Sequence, residues 1–199
     1  MGFVDGFNAL CRRVPNWLLY LSAAAYAGWL FFLAVTGAWI EPVEVLEHRY
    51  GKFALQMILL GLAVTPLRQR FGLNMMKHRR AIGVIAFFFV LAHLLVWAVL
   101  DVQTASAVIA DIVKRPYVTI GMAAFLLLLP LGLTSNDFSV RKMGALAWRK
   151  LHKLVYPAAV LGALHYVWLA KGFQIEPLLY LAATLALLAM RYMPVKRRA

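Results

Sequence analysis

Residues Trp148 to Trp168 read WRKLHKLVYPAAVLGALHYVW. A basic, tryptophan-flanked start runs into an apolar stretch and ends in aromatics, the pattern of a membrane-spanning helix between two interfaces. The stretch holds His152 and His165. At 1.5 Å per residue they stand about 20 Å apart along one helix, most of a hydrocarbon core of about 30 Å. Ionisable side chains inside a span are costly and usually functional.

The rest of the chain extends that reading. Of 199 residues, 63% are apolar, where soluble domains carry about 45–50%. The expected fold is all-α: an integral membrane six-helix bundle forming one domain over 1–199. Spans are expected at about Trp17–Gly37, Phe53–Leu67, Ala81–Leu100, Tyr117–Leu133, Leu151–Ala170 and Pro177–Met193. Pro116 and Pro177 suit first turns. Thr65-Pro66 should end the second span, and Pro130 should kink or end the fourth. Arg12 and Arg13 precede an apolar run too long for a signal peptide, so the first span is expected to be retained.

Lysine and arginine give the orientation. With the N-terminus cytoplasmic, sixteen fall on inner segments, Lys196, Arg197 and Arg198 among them, and five on outer ones, including Lys171. Both termini are therefore expected in the cytoplasm. The net charge of +13 fits basic loops facing anionic lipid better than nucleic acid. The single Cys11 excludes an internal disulfide and a Cys-x-x-Cys-His haem attachment. Neither a phosphate loop nor a dinucleotide fingerprint occurs, and no Ser-His-Asp context is recognisable.

With orientation set, depth becomes comparable. His93 lies thirteen residues beyond Arg80, and His165 twelve beyond Lys153. Both are expected about 18–20 Å in, towards the outer leaflet. Two imidazoles at one depth on different helices can clamp one porphyrin, a non-covalent b-type haem. Gly162, Ala163 and Ala92 are small enough for a flat ligand to approach. Phe87, Phe88, Phe89, Trp97, Tyr166 and Trp168 supply apolar surface, with helix packing and an interface belt as the plainer reading. His152 could serve a second haem, a propionate or the interface; His78 is the only candidate partner by position. His48 reads as a surface histidine. Arg79-Arg80 and Arg149-Lys150-Lys153 read as topology determinants, with haem propionates or a flavin phosphate as the functional alternative.

Several stretches together resemble one family: HRYGKFAL from His48, LAVTPLR from Leu62, RRAIGVIAFFFVLAH from Arg79, KRPYVTIG from Lys114, LTSND from Leu133, WRKLHKLVY from Trp148 and LHYVW from Leu164. This pattern resembles the MsrQ (YedZ) family, haem-binding membrane subunits of the periplasmic methionine sulfoxide reductase system, within the ferric-reductase-like transmembrane group. The resemblance implies a bacterial inner-membrane b-type cytochrome, an electron-transfer subunit and not itself an enzyme. It would take electrons from membrane quinone and pass them to a periplasmic molybdopterin-containing reductase that repairs oxidised methionines. It implies haem ligands at His93, His152 and His165, one haem with a second left open, and FMN, for which the sequence shows no motif. A related cytochrome b serving another acceptor, such as ferric iron, is the alternative. A transporter is disfavoured by the lack of an inverted repeat.

Overall fold

The computed structural model describes residues 2–170 and 174–193. Lys171, Lys196, Arg197 and Arg198, which entered the charge comparison, lie outside the described residues. Among those described the chain is helical without strands. In order, the helices are α1 (Phe3–Arg13), α2 (Asn16–Val35), α3 (Pro42–Pro66), α4 (Arg79–Leu95), α5 (Ala105–Lys114), α6 (Pro116–Leu133), α7 (Asp137–Met143), α8 (Ala145–Leu151), α9 (Val155–Leu169) and α10 (Ile175–Tyr192).

Among the described residues four helical stretches are long and apolar enough to cross a membrane: Asn16–Val35, Pro42–Phe71, Met76–Asp101 and Pro116–Leu133. The expected fifth and sixth spans correspond in position to α9 and α10, which pack into the same bundle. The second span differs most from expectation. Its helix begins at Pro42, not Phe53, because Glu44, Glu47, His48, Arg49 and Lys52 lower the hydropathy of a stretch that is nonetheless helical.

Prolines explain two further differences. Pro66 has no N–H to give the Leu62 carbonyl, so a helix end was expected there. The helix instead continues through a π-helical turn at Leu67–Phe71 and stops at Gly72, whose φ of 75° suits a left-handed cap. The carbonyl of Leu62 is not left bare: Arg191 Nη2 on α10 donates to it at 2.7 Å, while Nη1 donates to the Tyr156 hydroxyl at 2.9 Å. At Pro157 the reverse happens. A straight helix from Leu151 would need the Pro157 N–H, so the chain tightens into a 3-10 turn at His152–Leu154 and α9 starts afresh at Val155. His152 and His165 therefore do not share one uninterrupted α-helix. Pro130 sits inside α6, which runs on to Leu133.

The bundle is built from two antiparallel pairs, α3 with α4 and α6 with α9, joined along α4–α6 and α3–α9. Phe89, fully buried on α4, centres one core with the rings of Tyr26, Tyr50 and Phe53 around it. The Tyr50 hydroxyl bonds the Ala27 carbonyl at 2.8 Å, so this buried phenol is satisfied. A second core joins Ile58 and Leu62 of α3 and Ala86 of α4 to Leu128 and Leu131 of α6 and Ala158 and Ala159 of α9. The two alanines are fully buried, and small residues let helices close on one another where lipid offers no hydrophobic drive. The outward face of α2 carries Trp17, Leu21, Trp29, Phe31 and Phe32, all exposed, as a lipid-facing helix requires.

At one end of the bundle α1 is pinned to the turn before α4. Buried His78 sits 2.7 Å from Asn16 Oδ1 and 2.9 Å from the Cys11 carbonyl, and Lys77 Nζ donates to the carbonyls of Arg12 and Val14. Nearby, Arg80 donates to Asp137 at 2.5 Å, tying α7 to α4. That hydrogen bond and the guanidinium charge hold the Asp137 carboxyl below its ordinary range.

Two tests follow from these contacts. Replacing Arg191 with Met removes a charged donor and strands the Leu62 carbonyl, a loss of about 1–3 kcal/mol; thermal melting in detergent should show the drop, and an unchanged melt would count against the bond. The Arg80–Asp137 pair is worth something only while Asp137 is charged. A depressed carboxyl contributes above its unfolded pKa and loses that contribution as pH falls through its folded pKa. Asp137→Asn should therefore melt slightly lower than the parent at neutral pH and match it in acid, an effect kept small by full exposure.

Candidate functional site

His93 on α4 and His165 on α9 come together across the bundle. Their ring centres are 6.2 Å apart and their planes are inclined at 69°. Each ring is held in the same way. His93 Nδ1 lies 3.0 Å from the Glu47 carbonyl on α3, and His165 Nδ1 lies 2.7 Å from the Tyr117 carbonyl on α6. A carbonyl can only accept, so both Nδ1 atoms carry the proton and both Nε2 atoms keep a free lone pair.

One helical turn after each accepting carbonyl is a glycine, Gly51 on α3 and Gly121 on α6. A Cβ on Gly51 would stand 3.1 Å from His93 Nδ1, and one on Gly121 would stand 2.9 Å from His165 Nδ1. The rings thus lie directly against helix backbone. Glycine inside a helix costs about 1 kcal/mol relative to alanine, so an interior glycine usually has a packing reason. Here the reason is an imidazole.

Both rings line a cavity of about 860 Å³, within the usual size range of small-molecule sites. Its walls are small where the helices approach, at Gly51, Ala54, Gly121, Ala124, Ala158 and Gly162. Of the six aromatics for which packing or an interface belt was the plainer reading, Trp97 and Tyr166 line the cavity. Phe89 belongs to the neighbouring core, Phe87 packs on Phe125 and Gly132, and Phe88 and Trp168 are exposed. Phe125, another lining residue, escaped the sequence reading. Gly162 is at the wall as expected, whereas Ala163 is buried and Ala92 packs against the core around Phe89.

The mouth is polar. His48, Arg49, Lys52 and Arg115 line it with Glu44, Glu47 and Asp101. Lys52 pairs with Glu176 at 2.5 Å, Arg115 with Asp111 at 3.4 Å, and Arg49 lies over the Trp39 ring. Among the described residues these are the cations that line the cavity. Arg79-Arg80 and Arg149-Lys150-Lys153 are not at this cavity.

His152 stands apart. Its ring stacks on Trp148 with centres 3.8 Å apart, and its Nε2 is 3.1 Å from the Thr134 hydroxyl. Trp148 Nε1 donates to the Thr134 carbonyl, closing a small cluster. His78 has both ring nitrogens engaged with Asn16 and Cys11, so it offers His152 no free donor atom.

The pair suits a haem iron by its donor set. Metal–imidazole bonds run about 2 Å, and a ring nitrogen lies about 1 Å from its centre, so two imidazoles on opposite sides of one ion, each with Nε2 turned to it, would have centres about 6 Å apart. The observed separation matches. Two histidines alone do not complete an ordinary protein metal site, and among the described residues no cluster of three or more potential ligands occurs. A macrocycle supplies the other four donors, and the cavity has the room and the apolar walls for one.

Comparisons with known proteins show the family. The model of the family described as "Ferric reductase like transmembrane component" matches residues 49–163, an interval that contains His93 and His152 and stops just before His165. The protein-methionine-sulfoxide reductase heme-binding subunit MsrQ of Agrobacterium fabrum is 45% identical over 196 residues, covering 96% of this chain and 91% of that protein. Its namesake from Brucella ovis is 44% identical over 177 residues, 88% of this chain and 80% of that protein. The chain belongs to the MsrQ family. The alignment with the Agrobacterium MsrQ extends beyond the family-model match.

Proposed function

We propose that this chain is a membrane-embedded b-type cytochrome with His93 and His165 as axial ligands of its haem. The observation that carries this reading is the matched pair of rings, each with Nδ1 bonded to a backbone carbonyl and Nε2 left free at a shared cavity. A donated N–H fixes the ring orientation and makes the opposite nitrogen a better ligand. When bound, haem supplies reversible one-electron transfer. The apolar walls would keep water from the iron, and the cations that line the same cavity, Arg49, Lys52 and Arg115, would be the groups available to its propionates. His152, stacked on Trp148 at the far cluster, takes a supporting part near that end or holds a second haem. No flavin site is proposed, since nothing beyond resemblance points to FMN.

The named relatives are subunits of methionine sulfoxide reductase. In that setting the chain draws electrons from membrane quinone and delivers them outward to a periplasmic molybdopterin-containing reductase. Sulfoxide repair needs two electrons, and the periplasm has no buffered reducing pool to supply them. The chain would then sit in a bacterial inner membrane with α9 and α10 as fifth and sixth spans and both termini cytoplasmic. The lysine and arginine asymmetry supports that orientation. The ferric-reductase-like match favours a second reading, in which ferric iron is the acceptor; reconstitution with each acceptor separates the two.

The reduced-minus-oxidised spectrum of purified protein, with haem per chain from pyridine haemochrome, tests the central claim. His93→Ala and His165→Ala should each abolish the low-spin b-type signal of this haem. A full low-spin spectrum in both variants would falsify the assignment. A ratio near one haem leaves His152 in a supporting role, and a ratio near two gives it a haem. For orientation, alkaline phosphatase fused after Glu41 should be active and after Asn74 inactive; the opposite pattern would invert the topology.

A further inference from the structure

The two histidines are not merely close. Each is pressed against a glycine that stands four residues after the carbonyl it bonds: Glu47 then Gly51, and Tyr117 then Gly121. In an α-helix residues i and i+4 share a face, so the carbonyl at i and the bare backbone at i+4 form one shelf. The imidazole lies along that shelf. Its Nδ1 meets the carbonyl at one edge, while the ring surface meets the place where a Cβ would be. Any side chain at the glycine would lift the ring, and lifting it would lengthen or bend the Nδ1–H···O=C bond.

The shelves belong to different helices, α3 and α6. Their relative disposition fixes the angle between the rings, which is 69°. We propose that Gly51 and Gly121 are positioning residues that hold the two imidazole planes steeply crossed and thereby set the electronic signature and reduction potential of a haem between them. This rests on the reading of His93 and His165 as its axial ligands. In a low-spin ferric ion, crossed imidazoles leave the two iron d orbitals that overlap with the ring π systems nearly equal in energy, whereas parallel rings split them. A crossed pair gives a strongly anisotropic electron paramagnetic resonance signal, and rotation of either ring towards its partner reduces that anisotropy. Axial-ligand geometry and hydrogen bonding to the ligand are levers by which protein tunes haem potential.

The shelves are unequal. The hypothetical Cβ at Gly121 comes nearer its ring, 2.9 Å against 3.1 Å at Gly51, and the bond to Tyr117 is shorter than that to Glu47. The α6 side therefore has less slack and responds more strongly to an added methyl. Gly83 on α4 is the matching control, because a Cβ there meets nothing within 4 Å.

The experiment uses the purified haem-loaded protein and three substitutions, Gly51→Ala, Gly121→Ala and Gly83→Ala. Haem per chain, the ferric resonance spectrum and the midpoint potential are read for each. The parent should show a strongly anisotropic low-spin signal. Gly51→Ala and Gly121→Ala should keep their haem but show reduced anisotropy and a shifted potential, with the larger change at Gly121. Gly83→Ala should match the parent in all three. The proposal is overturned if the parent signal is only weakly anisotropic. It is also overturned if both shelf variants, fully loaded, reproduce the parent spectrum and potential, or if folded shelf variants simply lose haem. Should Gly121→Ala fail to fold, the looser Gly51 site decides by the same readings. Failure of the ligand reading looks different: His93→Ala or His165→Ala would then keep the parent signal.

Discussion

Two hydrogen bonds from imidazole to helix backbone organise this molecule. His93 ties α4 to α3, and His165 ties α9 to α6. Among the described residues these are the two most extensively packed helix pairs, and both line the cavity. In an apolar interior an unpaired N–H is expensive, so each bond is both a structural clasp and a constraint on tautomer. Once Nδ1 is committed, Nε2 is the ring's one remaining donor atom to an incoming ion. The site's chemistry thus follows from the way the bundle is fastened.

Much of this was legible from residue order. Apolar length separated by charge located the principal helices, and counting residues from Arg80 and Lys153 put His93 and His165 at one depth. What escaped has physical causes. Hydropathy averages over a window, so the charged start of α3 at Glu44, Glu47, His48, Arg49 and Lys52 read as loop although those residues gather around a cavity mouth. The shelf glycines were invisible because a lone glycine announces no partner; only the tertiary fold brings Gly51 to His93 and Gly121 to His165. For most of the aromatic residues the plainer reading, packing and surface, holds: of the six, Trp97 and Tyr166 line the cavity. Phe87, Phe88 and Phe89 are consecutive, and a helix must point them in different directions.

His152 shows the limit of spacing arguments on a helix that contains proline. A count along an ideal helix assumes an unbroken ladder between His152 and His165. Pro157 interrupts it, the 3-10 turn changes the rotation, and the face His152 presents follows from its contacts with Trp148 and Thr134, not from the count. His78 is similar. By position it was the one candidate partner for His152, although its loop is strongly basic; it is buried and spends both nitrogens fastening the N-terminal segment.

The bond between Arg191 and the Leu62 carbonyl bears on how the chain is made. Translation delivers α3 long before α10, and until α10 arrives the carbonyl opposite Pro66 has no partner from that helix. In the hydrocarbon of a bilayer such a group has no water to turn to. The third helix therefore enters the membrane incomplete, relying on a neighbour, a lipid headgroup or a shallow position until the tenth is synthesised. A bond between the third helix and the tenth thus makes the later helix the one that completes the backbone of the third.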